Sequence, residues 1–226
     1  VRLANVRHRG RATMNHVLRF LFFALLVRPI LLVVCGLNVR HRERLKCDGP
    51  ALVVANHNSH LDALALICLF PLSRLSKLRP VGAKDYFFRN RWLAWFSTRI
   101  LGVLPLDRDR KSGRRDLLAP ISDALRDNQI VFLFPEGTRG EPEELSEFKT
   151  GIAHLAKRHE GVPVLPIFFH GLGKALPRGE ALLVPFFLDV YVGRPLHWSG
   201  NKADFMEQLT RQMRGLAAEG NFPAWD

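Results

Sequence analysis

Two short runs constrain the fold more than any other feature: residues 51–55 (ALVVA) and 130–134 (IVFLF). Each is apolar at every position, and each is followed at once by polar residues with reactive side chains. A run with no polar face must be buried on both sides, which is the place of a central strand in a sheet covered by helices. Further strands are expected at 79–83, 103–106 and 164–169, with one or two more over 182–192. Helical patterning falls between them. It covers 60–70, stopped by Pro71, and 85–101, with Asp85 as N-cap. It continues over 112–128, irregular at Pro120, and over 150–159 and 202–218. Strands alternating with helices predict an α/β domain with a mixed, mostly parallel sheet surrounded by helices.

The N-terminal end is different. Residues 20–37 are apolar except for Arg28, which is followed by Pro29. A membrane-crossing helix needs about 20 apolar residues. This segment approaches that length but carries a charge and a helix breaker at its centre. Both flanks are basic: Arg7, Arg9, Arg11 and Arg19 before it, Arg40, Arg42, Arg44 and Lys46 after it. Basic flanks favour the cytoplasmic side, and a single span cannot place both there. Two short helices bent at Pro29 and dipping into one leaflet satisfy the pattern best. A true span and a buried hairpin are the alternatives. The expected division is a basic N-terminal segment with membrane-associated helices over 1–45, then the α/β domain over 46–226.

The chain has 33 Lys and Arg against 21 Asp and Glu, a net charge of +12. The excess lies in the first hundred residues, whereas 101–150 hold 8 basic and 10 acidic side chains. Such a field attracts polyanions, whether an anionic membrane surface, a phosphorylated substrate or nucleic acid. Cys35, Cys47 and Cys68 form no CxxC pair, which suggests reduced thiols in a cytosolic compartment. Residues 86–96 (YFFRNRWLAWF) suit either core packing or an interfacial, membrane-facing amphipath.

Four segments carry residues suited to chemistry. Directly after the first apolar run comes Asn56-His57-Asn58-Ser59-His60-Leu61-Asp62. In open α/β sheets the crevice beyond strand C-termini receives ligands. Across a strand-to-helix turn, His57 and Asp62 can meet as a general base and its orienting carboxylate. A five-residue offset also arises by chance. Asp62 could then simply complement the helix dipole, with His57 an ordinary loop histidine. A metal held by His57, His60 and Asp62 would lack a further ligand cluster. Ser59 is not set in the Gly-x-Ser-x-Gly elbow of a nucleophile.

After the second run comes Phe134-Pro135-Glu136-Gly137-Thr138-Arg139-Gly140. Its glycines let backbone N–H groups approach an anion, Thr138 adds a hydroxyl and Arg139 a fork suited to phosphate. An ordinary Pro-Gly turn with a surface arginine is the alternative. Arg108 ends Gly102-Val103-Leu104-Pro105-Leu106-Asp107-Arg108, as either a reach toward the same anion or a solvated Asp–Arg pair. Val162-Pro163-Val164-Leu165-Pro166 is either an edge strand or a wall for an apolar ligand.

In order and spacing these four blocks resemble the 1-acyl-sn-glycerol-3-phosphate acyltransferase family of glycerolipid acyltransferases. NHNSHLD is similar to its catalytic block and FPEGTRG to its third block. VPVLP is similar to the fourth, and GVLPLDR to the second, with Pro105 and Leu106 in place of the more usual Phe-Ile pair. The resemblance implies transfer of a fatty acyl chain from a thioester to the free hydroxyl of lysophosphatidic acid, giving phosphatidic acid in phospholipid biosynthesis. It implies His57 as general base and Asp62 as its partner. Arg108, Glu136, Gly137, Thr138 and Arg139 would bind the acceptor phosphate, with Lys84 and Lys149 as weaker candidates. It implies no cofactor and no metal. Acyl-coenzyme A or acyl-acyl carrier protein would serve as co-substrate, an anionic membrane surface and a lysophospholipid as partners. The enzyme would sit on the cytoplasmic face of the inner membrane, monotopic or peripheral. Another acceptor is the nearest alternative, among them a lyso-ornithine lipid, another lysophospholipid or glycerol-3-phosphate. A non-catalytic basic module binding lipid or nucleic acid rests on charge alone; nucleic acid is not the expected partner.

Overall fold

A computed structural model describes residues 14–59, 61–107, 116–137, 145–172 and 187–220. Seven strands form one sheet: β1 (Asn38–Arg40), β2 (Ala51–Ala55), β3 (Leu78–Ala83), β4 (Leu104–Leu106), β5 (Ile130–Leu133), β6 (Val164–His170) and β7 (Asp189–Val192). Their order is β1-β7-β6-β2-β5-β3-β4. All neighbouring pairs are parallel except β6 with β7. The expected mixed, mostly parallel sheet is therefore present. The two predicted central strands, β2 and β5, lie side by side in its middle and are almost wholly buried.

Helices cover both faces. Ala51, Val53 and Ala55 of β2 point into one core with α1 (Met14–Val34) and α2 (Asp62–Leu69). Leu52 and Val54 point into the other, with α5 (Ala119–Arg126), α6 (Gly151–Arg158) and α7 (Lys202–Glu219). The period-two alternation of a strand thus feeds two separate cores. The chain leaves β2 toward the α2 face and leaves β5 toward the α6 face. A crevice opens where adjacent parallel strands send their connections to opposite sides.

The N-terminal apolar helix is present, but as one helix and not a pair bent at Pro29. Pro29 keeps helical torsions (φ −58°, ψ −41°). The ladder accommodates it by widening into π-turns at Phe22–Val27 and Ile30–Val34, where Arg28 N–H reaches Phe23 O and Cys35 N–H reaches Ile30 O. A proline lacks an N–H and crowds the carbonyl four residues back, and a wider turn relieves both. The widening also aligns the buried stripe of Arg19, Phe23, Val27, Leu31 and Cys35. Residues four apart would drift by about 40° per step in an α-helix; wider turns offset that drift.

Two arginines tie α1 to the domain. Arg19 donates to the carbonyls of Leu78 and Leu101, both at 3.1 Å. Gly102, at φ +74°, leaves room for its guanidinium, since a Cβ there would stand 2.8 Å from it. Arg28 donates to Cys68 O and Phe70 O, free carbonyls at the end of α2.

Other expectations need correction. Residues 85–101 are not one helix capped by Asp85. A short α3 (Lys84–Phe87) precedes α4 (Arg91–Trp95), which continues as a π-turn over Phe96–Leu101. Asn90 is the N-cap of α4, its side chain accepting from Leu93 N–H at 2.7 Å. In 112–128 the described helix starts only at Ala119. Pro120 lies in its first turn, where a missing N–H does no harm; residues 112–115 lie outside the described residues. β1 carried no signal in the sequence, and of the 182–192 segment residues 189–192 form a strand.

Candidate active site

The C-terminal ends of β2, β5, β3 and β4 lie in a row and carry the candidate residues. At the end of β2 the chain turns tightly into α2, and Asp62, the first residue of that helix, is fully buried. One carboxylate oxygen, Oδ2, collects three contacts: His57 Nδ1 at 2.8 Å, Asn58 N–H at 2.7 Å and Ser59 N–H at 2.9 Å. Backbone N–H groups only donate, so Oδ2 is unprotonated. His57 Nδ1 must then carry the proton, which leaves the imidazole lone pair on Nε2. Burial raises the Asp62 pKa, while the bond from His57 and the two N–H groups draw it back down.

The imidazole is held from two sides. Its ring stacks on Phe134, at the end of β5, with centroids 4.1 Å apart and planes 19° from parallel. Asn56 anchors the start of the turn by bonding both ways to the backbone of Phe169, donating to its carbonyl at 2.9 Å and accepting its N–H at 2.7 Å. Neither contact was read from the sequence. Asn56 and Phe134 each adjoin a strand end, but nothing local says that one clamps β6 and the other supports His57.

The β5 loop meets the β2 loop at Glu136. This carboxyl is buried, and neither oxygen has a hydrogen-bond partner of full geometry among the described residues. Burial pushes it up to about 7; the His57 backbone N–H pulls it down and the Asp62 charge adds to the rise. Gly137 follows at φ +78°, and Lys149 lies across it: a Cβ on Gly137 would stand 2.3 Å from Nζ. The Lys149 N–H also bonds Pro135 O at 2.9 Å, bringing the exposed lysine to this loop. On the far side, Lys84 at the end of β3 pairs with Asp107 at the end of β4, at 3.3 Å. His57, Asp62, Glu136, Gly137, Lys149 and Lys84 therefore share one end of the sheet. Arg108, Thr138 and Arg139 lie outside the described residues, immediately beyond Asp107 and Gly137. No group of three or more potential metal ligands occurs among the described residues.

An imidazole held by a buried carboxylate at the strand ends of a mostly parallel α/β sheet, beside a glycine-turned loop, is an arrangement able to activate a hydroxyl. The chain belongs to the Acyltransferase family, whose pattern matches residues 36–170. It is 31% identical to the chloroplastic 1-acyl-sn-glycerol-3-phosphate acyltransferase LPAT1 of Arabidopsis thaliana, over 92% of this chain and 54% of that protein. To the alpha form from Bos taurus it is 26% identical, over 78% of this chain and 60% of the relative. The chain thus spans somewhat over half the length of these curated relatives. Its fold matches the crystal structure of the 1-acyl-sn-glycerophosphate (LPA) acyltransferase PlsC from Thermotoga maritima. The TM-score is 0.60 at 20% identity, covering 80% of this chain and 72% of that one.

Proposed function

We propose that the protein transfers a fatty acyl chain from an acyl thioester to the free hydroxyl of lysophosphatidic acid, forming phosphatidic acid. The observation that carries this reading is the His57–Asp62 pair, which holds an imidazole with its lone pair on Nε2 beside the Glu136–Gly137 loop. The names of the relatives support the acceptor.

The acceptor O–H gives its proton to His57 Nε2 as its oxygen attacks the thioester carbonyl carbon. Asp62 stabilises the imidazolium that forms, at no cost in reorientation, because it already holds Nδ1–H. The tetrahedral intermediate collapses, the C–S bond breaks, and the leaving thiolate takes the proton from His57. No acyl-enzyme is required, since a thioester is reactive and a thiolate leaves readily. Arg108, Arg139, Thr138 and the backbone at Glu136 and Gly137 bind the acceptor phosphate, with Lys149 and Lys84 adding positive charge at its edges. The thioester is a co-substrate on coenzyme A or acyl carrier protein.

The protein works at the cytoplasmic face of the membrane. The outer side of α1 exposes Leu25 and Val33, at 72% and 82%, while its inner stripe packs on the domain. A helix bound along its length to a folded domain enters one leaflet more readily than it spans two.

The test uses purified protein in liposomes with oleoyl-coenzyme A and a panel of acceptors, following free thiol and the mass of the lipid product. Thiol release that requires lysophosphatidic acid and yields phosphatidic acid is expected. Release that requires a different lyso-lipid would replace the acceptor, and no release with any acceptor or with acyl carrier protein as donor would overturn the activity.

A further inference from the structure

We infer that α4, with its Trp92 and Trp95, is a second membrane contact that seats the acceptor side of the crevice on an anionic phospholipid bilayer. The inference rests on the membrane association proposed above and adds to it an anchor independent of α1.

Trp92 is 83% exposed and Trp95 43%, with Tyr86 and Phe88 also exposed just before them. Indole rings in water forfeit the burial that aromatic side chains ordinarily gain, and Trp is enriched where an apolar phase meets water. The arrangement is a surface and not a scatter. Trp92, Trp95 and Phe96 are spaced i, i+3 and i+4, so they share one side of the helix. Phe96 meets Phe22 of α1 edge to face, with centroids 5.4 Å apart. This contact sets the helix that carries the tryptophans directly beside α1.

Charge selects the occupant. Arg89, Arg91 and Arg99 are exposed around this patch, and none has an ion pair with a described residue. Aromatic rings framed by unpaired arginines suit the boundary of acyl chains and anionic headgroups, where each nearby cation adds attraction. A protein partner would be expected to offer acidic groups instead. The position also has a use. α4 is joined through Asn90 and α3 to the end of β3, where Lys84 pairs with Asp107 of β4. Seating α4 in the headgroup layer holds these strand ends at the depth of a lysophospholipid headgroup, so the acceptor can enter sideways from the leaflet.

The experiment uses the full chain with Trp95, Trp198 and Trp225 replaced by Phe, leaving Trp92 as the sole indole. It is mixed with equimolar phosphatidylcholine–phosphatidylglycerol vesicles, with and without brominated acyl chains. A blue shift and bromine quenching of Trp92 are expected. In parallel, Trp92→Ala/Trp95→Ala should weaken vesicle partition by about tenfold or more. Its turnover of a short-chain, water-soluble lysophosphatidic acid should stay unchanged, which also reports an intact fold. Unshifted Trp92 emission, or undiminished partition of the double variant, while wild type binds the vesicles, would overturn the second contact and leave the α1 reading standing. Failure of the wild type to bind vesicles would overturn both.

Discussion

One oxygen of Asp62 accepts three donors while the other is buried without a partner among the described residues. Burial raises its pKa, and the three donors on Oδ2 are what favour the anion that the imidazole needs. Asp62→Asn keeps the shape and one acceptor but removes the charge that stabilises imidazolium. It is expected to lower kcat by about 10²–10⁴ with the fold retained by circular dichroism. A kcat within about twofold of wild type would exclude the orienting role. Glu136 makes the opposite bargain with its surroundings, since burial raises it from 4.5 to about 7. Between those values the unfolded chain has released the proton and the folded protein still holds it. Stability is therefore lost as pH rises through this window. Glu136→Gln removes the titration. The urea midpoint of wild type should fall relative to that of Glu136→Gln as pH rises from 4.5 to about 7, whereas parallel curves would contradict the shift. The His57–Asp62 pairing was legible in the sequence because both partners sit within one turn. The isolation of Glu136 was not, because it depends on what the β2 loop places over it.

At the scale of elements, α1 is where sequence and structure part most clearly. A proline and an arginine side by side signal a break. Here the helix absorbs the proline by widening, and Arg28 turns to the carbonyls at the end of α2. Only the partner element shows that the charge is satisfied, so no local pattern could reveal it. The two sides of α1 should respond differently to truncation. Phe23 is fully buried against the domain, and Phe23→Ala should destabilise the fold by about 3–5 kcal/mol in urea unfolding. Leu25 lies on the outer side, and Leu25→Ala should leave the urea midpoint nearly unchanged while weakening partition to vesicles. Equal loss of stability in both would mean that α1 is packed all round. The aromatic stretch 86–96 was open to two readings for a related reason: composition cannot say which side of a short helix has neighbours. Its division at Asn90 was equally hidden, because the capping asparagine is followed by residues that suit a continuing helix.

For the whole molecule, the order of strands explains why residues distant in sequence converge. β5 enters the sheet between β2 and β3 after β4 has been laid down, so the loops after residues 55 and 133 become neighbours. Apolar runs followed by reactive residues were enough to place each loop at a strand end, and their alternation with helices was enough for the class of fold. The short β1 depends on pairing alone and left no comparable mark, and the apolar run that announced β7 did not show that it would pair antiparallel to β6. Part of the positive charge of the first hundred residues lies on the segment that packs beside α1, since Phe96, between Arg91 and Arg99, meets Phe22. In the proposed function these features serve a single step, removal of a hydroxyl proton by His57. The measurement that tests it most directly is acceptor-dependent thiol release from oleoyl-coenzyme A on liposomes, comparing wild type with His57→Ala at equal membrane-bound protein. A loss of at least about 10³-fold in kcat, with the thermal midpoint and vesicle partition retained, is the expected result. A variant that turns over at the wild-type rate would contradict it.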